Sequence, residues 1–491
     1  MNVLGVASEC FPLIKTGGLA DVVGALPGAL APHGVRITTL LPGYPSVLGQ
    51  LGEARSAKNL PDLFGGPARL LRGTVRPAGG AGRAGGPGGA HALDIIAIDA
   101  PHLYGRAGSP YLMPDGREWP DNNVRFAALG AVAAMLAREG LRGLRFDAVH
   151  AHDWQAGLAP AYLRFGGKPV PSLFTVHNLA FQGQFPAWTF GRLGLPVEAF
   201  ATAGLEYFGA VGFLKAGLWF ADGISTVSPT YAAEIRTPMA GMGLDGLLRG
   251  RAGVLHGVLN GLDTTEWDPA TDSHLAARFS TPQGRAPNKA ALQAAFGLTA
   301  DPAAPLFVHV GRLAWQKGID LILEAIPALF EVGGQLAILG SGDGGLVERC
   351  LGAAAANPGR IGTRIAFDEG LARLAYGGAD AMLVPSRFEP CGLAQLCALR
   401  YGALPIVTRV GGLADTVVDA NDAALGAGWG TGFVCQPDSP ELLGAAMLRA
   451  AGLYRQPQVW RRLQQNAMAQ DVSWTASAAR YAAIYRGLAV A

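Results

Sequence analysis

The string Lys15-Thr16-Gly17-Gly18-Leu19-Ala20-Asp21 follows an apolar run and leads into a helical one. Its glycines let backbone approach an anion, a helix N-terminus offers unpaired N–H groups, and Lys15 adds a positive charge. The spacing is not that of a P-loop, so the string reads either as a phosphate cradle or as a structural strand-to-helix turn. Val310-Gly311-Arg312-Leu313-Ala314-Trp315-Gln316-Lys317-Gly318 places two cations five residues apart after another apolar run. An Arg fork with a Lys point charge would stabilise charge developing on a departing diphosphate, and a solvated basic turn would look the same. In Val384-Pro385-Ser386-Arg387-Phe388-Glu389-Pro390-Cys391-Gly392-Leu393 one carboxylate stands at a Pro-flanked turn before a helix. Glu389 there suits sugar hydroxyls, or simply a helix N-terminus. Val149-His150-Ala151-His152-Asp153-Trp154-Gln155 and Thr175-Val176-His177-Asn178 complete the set. Histidines at i and i+2 share one face of a strand, and beside Asp153 they raise the question of a metal. No further ligand arrives at a zinc spacing, which leaves polar contacts to a ligand or a buried hydrogen-bond network.

These strings need a frame that brings loop ends together. Short apolar runs (Val3–Ala7, Asp94–Ile98, Ala148–His150, Ser172–Val176, Gly223–Val227) alternate with Ala/Leu-rich helical stretches. The second half repeats the theme at Leu306–Val310, Gln335–Leu339, Ala381–Val384 and Leu404–Val407. That alternation predicts an α/β fold of two doubly wound, Rossmann-like domains, with ligands at the carboxyl ends of the strands. The expected division is 1–257 for the N-terminal domain, 258–305 for an interdomain linker rich in Pro, Asn and Asp, 306–470 for the C-terminal domain, and 471–491 for a final helix packing on either domain. Gly340-Ser341-Gly342-Asp343-Gly344-Gly345 satisfies G-x-G-x-x-G, but on its domain's second strand and in a chain with 70 glycines. A tight turn therefore competes with a dinucleotide site. Arg76 to Ala90 is nearly all Gly, Pro and Ala and predicts a flexible surface loop.

Bulk composition narrows the classes. At 491 residues the chain exceeds one core. With 39 basic and 37 acidic residues, 50% hydrophobic residues and no basic run, neither disorder nor nucleic-acid binding is expected. The longest apolar run, Phe126 to Ala137, is too short to span a bilayer. Five scattered cysteines without a CxxC pair, and an N-terminus without a secretory leader, lead us to expect a cytoplasmic protein.

Together the strings KTGGLADVVGALP, DAPHLY, HAHDWQAGLAPAYL, FTVHNLAFQG, FLKAGLWFAD, STVSPTYAAEI, VLNGLD, GRLAWQKGID, GGADAMLVPSRFEPCGL, TRVGGLADTV and TGFV run in this order across nearly the whole chain. In them the sequence resembles bacterial glycogen synthases and plant starch synthases, the family 5 glycosyltransferases of GT-B architecture. The resemblance implies two Rossmann-like domains facing each other across a cleft. It also implies glucose transfer from ADP-glucose to the non-reducing end of an α-1,4-glucan (glycogen or a maltooligosaccharide), with retention and with no metal or other cofactor. Carried over by position, Lys15, Arg312 and Lys317 would contact the donor diphosphate and Glu389 the glucosyl hydroxyls. His177 would lie against the reacting glucose, with Asp153, Asn178 and Asn260 nearby. Gly18 and Asp21 belong to the same donor loop, Tyr104 would lie on the acceptor side, Phe367 would stack on the base, and Cys391, Gly392 and Leu393 would be substrate-binding. Because Lys15 and the Arg312/Lys317 pair fall in different predicted domains, closure about hinges near 258–305 and before Trp474 is expected.

Two positions depart from the family pattern. Ala394 stands where relatives usually carry the Thr of EPCGLTQL, and Phe367-Asp368-Glu369 stands where a Tyr followed by His or Asn and Glu is common. The rival readings are a sucrose- or trehalose-type transferase using UDP-glucose, and a glucan-binding protein without activity. The first would not be expected to combine KTGGL, HAHDW and VHN. The second would be expected to lose the cations or Glu389, and all are present.

Overall fold

The computed structural model describes residues 1–76, 92–167 and 170–490. The predicted Gly/Pro/Ala loop lies, beyond Arg76, outside them. The chain divides into two compact units, one of Met1–Gly261 with Trp474–Ala491 and one of Leu262–Ser473.

In the first unit the main strands are β1 (Asn2–Val6), β2 (Arg36–Pro42), β3 (Gly52–Leu60), β4 (Ala68–Val75), β5 (Leu93–Asp99), β6 (Ala148–His152) and β7 (Ser172–Val176). After a small three-stranded sheet of β8 (Gln184–Pro186), β9 (Glu206–Tyr207) and β10 (Ala210–Gly212) come β11 (Gly223–Thr226) and β12 (Leu255–Gly257). The main sheet runs β12-β11-β7-β6-β1-β2-β5-β4-β3, parallel except at β4. β1 sits between β2 and β6, with Val3 opposite Ile37 on one side and Ala148 on the other. Every residue of β6 and β7 is buried, the signature of strands covered by helices on both faces. That double burial makes their sequences continuous apolar runs.

The second unit holds β13 (Leu306–Val310), β14 (Gln335–Gly340), β15 (Ile361–Ile365), β16 (Ala381–Val384), β17 (Leu404–Thr408) and β18 (Phe433–Cys435). All pair in parallel in the order β15-β14-β13-β16-β17-β18, the doubly wound order of a dinucleotide-binding sheet. Strand order reverses between β1 and β6 in one unit and between β13 and β16 in the other. Loops leaving adjacent strands at such a point diverge to opposite faces and open a crevice. The KTGG and HDW strings follow β1 and β6, and the GRLAWQKG and SRFEPCG strings follow β13 and β16.

The stretch 258–305, expected as a linker, is folded into the second unit from Leu262 onward. It carries the helix Ala286–Ala295 and puts Leu275, Phe279, Leu292 and Phe296 into that unit's core. Its Pro and Asp residues punctuate short turns within a packed body. The chain crosses between units at Gly261/Leu262 and Ser473/Trp474, and the two crossing segments meet where Leu262 N–H donates to the Val472 carbonyl at 2.7 Å. The returning helix Thr475–Val490 buries Ala478, Tyr481, Ala482 and Tyr485 against Val22, Leu26 and Leu30 of the helix Gly18–Leu30.

Candidate functional site

In the second unit, chemistry is concentrated on the loops after β13 and β16. Lys317 Nζ lies 2.5 Å from Glu389 Oε2, with the carboxylate side chain only 8% exposed. Ser386 Oγ donates to the same oxygen at 2.9 Å, and Thr408 Oγ1 donates to the Ser386 carbonyl. The two loops are clamped together. Arg387 forms a two-pronged ion pair with Asp320, both contacts 2.8 Å, donates to the Trp315 carbonyl at 2.7 Å and lies 4.5 Å over the Trp315 ring. Its own N–H donates to the Gln316 carbonyl, and Gln316 Nε2 donates to the Phe388 carbonyl. Gly318 has φ +67°, and a Cβ there would stand 2.2 Å from the Pro385 oxygen. Only glycine lets these loops approach so closely. Arg312, at the start of the β13 loop, is exposed.

Beneath the pair lies His309, whose Nδ1–H donates to the Leu383 carbonyl at 3.0 Å. Its Nε2 is buried without a partner among the described residues. Burial, reinforced by the Lys317 charge, holds His309 down to about 4, so it is neutral near pH 7. The loop after β17 closes the group from the far side: Gly412 N–H donates to the Glu389 carbonyl at 3.1 Å, and a Cβ on Gly411 would lie 2.0 Å from the Glu389 carbonyl oxygen. Cys391 is buried, and Gln395 Nε2 donates to its carbonyl. The partly exposed Gly392 (φ +74°) and Leu393 lead into the helix Ala394–Tyr401, which has no side-chain cap. Phe367 is 90% exposed just after β15. The G-x-G-x-x-G string is a packing turn: a Cβ on Gly340 would fall 1.9 Å from the Gly311 oxygen, one on Gly342 2.2 Å from the Leu313 oxygen, and Asp343 caps the helix Gly344–Ala356.

In the first unit the loop after β1 is shaped by Glu9, which sequence reasoning missed. This buried carboxylate accepts from the Thr16 and Gly17 N–H groups and from Thr16 Oγ1, and Tyr111 donates its hydroxyl to it. Lys15 and Gly18 are exposed, and Lys15 Nζ pairs with Asp21 at 2.7 Å. Behind the loop is a row of histidines. His152 Nδ1 and His177 Nε2 are 3.0 Å apart and share one hydrogen. Asp153, held at φ +54°, accepts from the His177 N–H at 2.6 Å. Burial pushes its carboxyl up to about 7, and holds His150 and His177 down to about 3. Asn178 caps its own turn through Ala180 N–H, and Asn260 is buried with Oδ1 unpartnered among the described residues.

One expectation is corrected. Tyr104 presents nothing to a ligand: it is fully buried, its hydroxyl donates to the Arg125 carbonyl at 2.5 Å, and its ring meets Tyr44 edge-on at 5.9 Å. The short helix Pro101–Tyr104 turns the ring inward, toward the buried Arg125 whose Nε donates to the Leu103 carbonyl. The histidine-carboxylate cluster is a hydrogen-bonded network. Among the described residues no three His, Cys, Asp or Glu side chains are grouped to hold a metal ion.

Residues 2–250 match the family model for the starch synthase catalytic domain, and residues 304–452 match that for glycosyl transferases group 1. Over 99% of its length the chain is 55% identical to the glycogen synthase of Acidiphilium cryptum and 54% identical to that of Methylocella silvestris, covering 99% of each. The chain belongs to the starch synthase catalytic domain family. It also resembles the solved catalytic domain of starch synthase IV from Arabidopsis thaliana, bound to ADP and acarbose, at 30% identity and a TM-score of 0.85, over 100% of this chain and 99% of that one. A sucrose-phosphate synthase from Thermosynechococcus elongatus shares the fold at 19% identity and a TM-score of 0.59 over 99% of this chain and 98% of that one. The α/β architecture of two doubly wound sheets is therefore GT-B, and the protein is a glycosyltransferase of the glycogen and starch synthase type.

Proposed function

We propose that the protein transfers glucose from ADP-glucose to the non-reducing end of an α-1,4-glucan with retention of configuration, in cytoplasmic glycogen synthesis. The observation that carries this reading is the Lys317–Glu389 pair at the β13/β16 reversal, with Arg312 exposed on the same loop. Breaking the glucose–phosphate bond leaves negative charge on the departing diphosphate. Two cations meet that charge as it grows, and Lys317 needs little reorganisation because Arg387 and Gly318 already define its end of the loop. Glu389 accepts hydrogen bonds from the glucosyl hydroxyls, and the Gly392–Leu393 backbone faces the phosphates at the helix N-terminus. The exposed Phe367 ring offers a surface for the base. In the first unit, Lys15, Gly18 and Asp21 form the donor-side loop, and neutral His177 meets the reacting glucose, with Asp153 bonded to its backbone and Asn178 and Asn260 nearby. No residue is assigned as covalent nucleophile; acceptor attack occurs on the face the diphosphate leaves.

Side-chain cations supply the charge stabilisation, so activity is expected to survive EDTA. The deciding experiment incubates the chain with glycogen and ADP-, UDP- or GDP-glucose and measures nucleotide release. Fastest release from ADP-glucose with elongation of the glucan supports the reading. Release without elongation, or preference for another donor, overturns the corresponding part of it.

A further inference from the structure

The histidine row does not end at His150. Tyr485, fully buried on the helix Thr475–Val490, places its hydroxyl 2.7 Å from His150 Nδ1. The other ring nitrogen, Nε2, is 2.6 Å from Thr175 Oγ1, which in turn bonds Ser225 Oγ. With one partner on each nitrogen, the His150 ring cannot flip without losing both bonds. His152 packs on it with centroids 4.0 Å apart, and His152 Nδ1 meets His177 Nε2 at 3.0 Å. Each ring thus fixes the next, from the last helix of the chain to the partly exposed His177. A phenylalanine would fill the volume of Tyr485, so the core alone does not need its hydroxyl.

We propose that Tyr485 is a positioning residue for glucosyl transfer, holding His150 and, through the His152 ring packed against it, the ring orientation of His177. The inference rests on the reading in which His177 meets the reacting glucose. Two features separate this role from plain packing. The hydroxyl bond is directional, and it ends on a ring whose second nitrogen is independently pinned by a different strand. The cations assigned to the diphosphate stand outside the row, Lys15 paired with Asp21 and Lys317 with Glu389, so loss of the Tyr485 hydroxyl acts on the reacting sugar and leaves nucleotide affinity alone.

The test is Tyr485→Phe in the full chain, read by steady-state kinetics and by the ring 15N signals of the histidines. The expected result is a fall in kcat of about fivefold, the scale of one lost buried hydrogen bond, with KM for ADP-glucose unchanged and shifted His152 and His177 signals. Thr175→Val cuts the other bond to His150 and is expected to move the same signals, so the outcome does not hang on one variant's folding. Unmoved His152 and His177 signals in both folded variants overturn the row. Shifted signals with normal kcat overturn its catalytic consequence. A wild-type chain that transfers no glucose overturns the functional reading, and with it that consequence, whereas the ring signals report on the row separately.

Discussion

The two units place their candidate residues at equivalent points of similar sheets, yet furnish them differently. After β13 and β16 the second unit sets full charges, Lys317 ion-paired with the nearly buried Glu389 and Arg312 exposed, on loops clamped by Arg387 and by glycines with no room for a Cβ. After β6 and β7 the first unit buries its polar groups and keeps the histidines neutral, their rings ordered by mutual contacts. A diphosphate carries concentrated charge and calls for fixed cations. A sugar carries hydroxyls and calls for neutral donors and acceptors at defined angles. In the proposed reading, one fold used twice meets its substrates with ion-paired, clamped loops in one unit and with a row of buried neutral rings in the other.

The strongest way to break this comparison is to remove a charge. Lys317→Ala or Arg312→Ala is expected to lower kcat by about a hundredfold or more, on the order of 3–4 kcal/mol, with the Lys317 variant also leaving the nearly buried Glu389 unpaired. Near-normal turnover in a folded variant would remove these cations from the mechanism.

Next in size is the acid behaviour of the first unit. The unfolded chain protonates His150 and His177 near 6.5, while the folded chain holds them neutral to about 3. The unfolded state therefore binds protons first, and the stability these groups contribute is complete above pH 6.5 and lost as pH falls toward 3. Asp153 opposes this: folded, it keeps to about 7 a proton that the unfolded chain releases near 3.8, so its effect lowers stability as pH rises across that window. Asp153→Asn removes the opposing contribution. Thermal melts should then show a steeper fall in Tm from pH 6.5 to 4.5 than in the wild type, and an equal or shallower slope would contradict the burial argument.

Tyr104→Phe sharpens the comparison from the other side. Loss of one buried hydrogen bond is expected to cost about 1 kcal/mol of stability in urea melts, leaving KM for the glucan acceptor unchanged. A raised acceptor KM would return Tyr104 to the binding surface. The smallest effect is expected for Ala394→Thr. A hydroxyl at the uncapped start of the helix Ala394–Tyr401 should lower KM for the nucleotide sugar about two- to threefold with little change in kcat. A higher KM together with weaker ADP inhibition would show that the methyl group fits a space the hydroxyl cannot use.

The sequence made the sheets legible because parallel strands buried on both faces read as unbroken apolar runs, and it made the loops legible because Gly, Lys, Arg and His stand directly after those runs. Orientation was less accessible. HLY locates Tyr104 after β5, but no pattern says that the short helix there turns the ring onto Arg125. Glu9 escaped because a lone carboxylate between a strand and a Gly loop has no periodic partner, and its ligands Thr16, Gly17 and Tyr111 converge only in three dimensions. Such a charge beside a glycine loop was nevertheless a usable signal. Breakers in 258–305 suggested a linker because Pro and Asp mark turns inside packed bodies as readily as they mark boundaries.

The returning helix also has a consequence for synthesis. Ribosomes deliver residues 262–473 before Trp474, Ala478, Tyr481 and Tyr485, yet these side chains complete the cluster formed by Val3, Val22, Leu26 and Ala148. The second unit has all its residues before the returning helix is made, whereas the first, though translated earlier, must wait with these apolar side chains uncovered. Quality control acting on a stalled or shortened product would therefore meet an unfinished amino-terminal half.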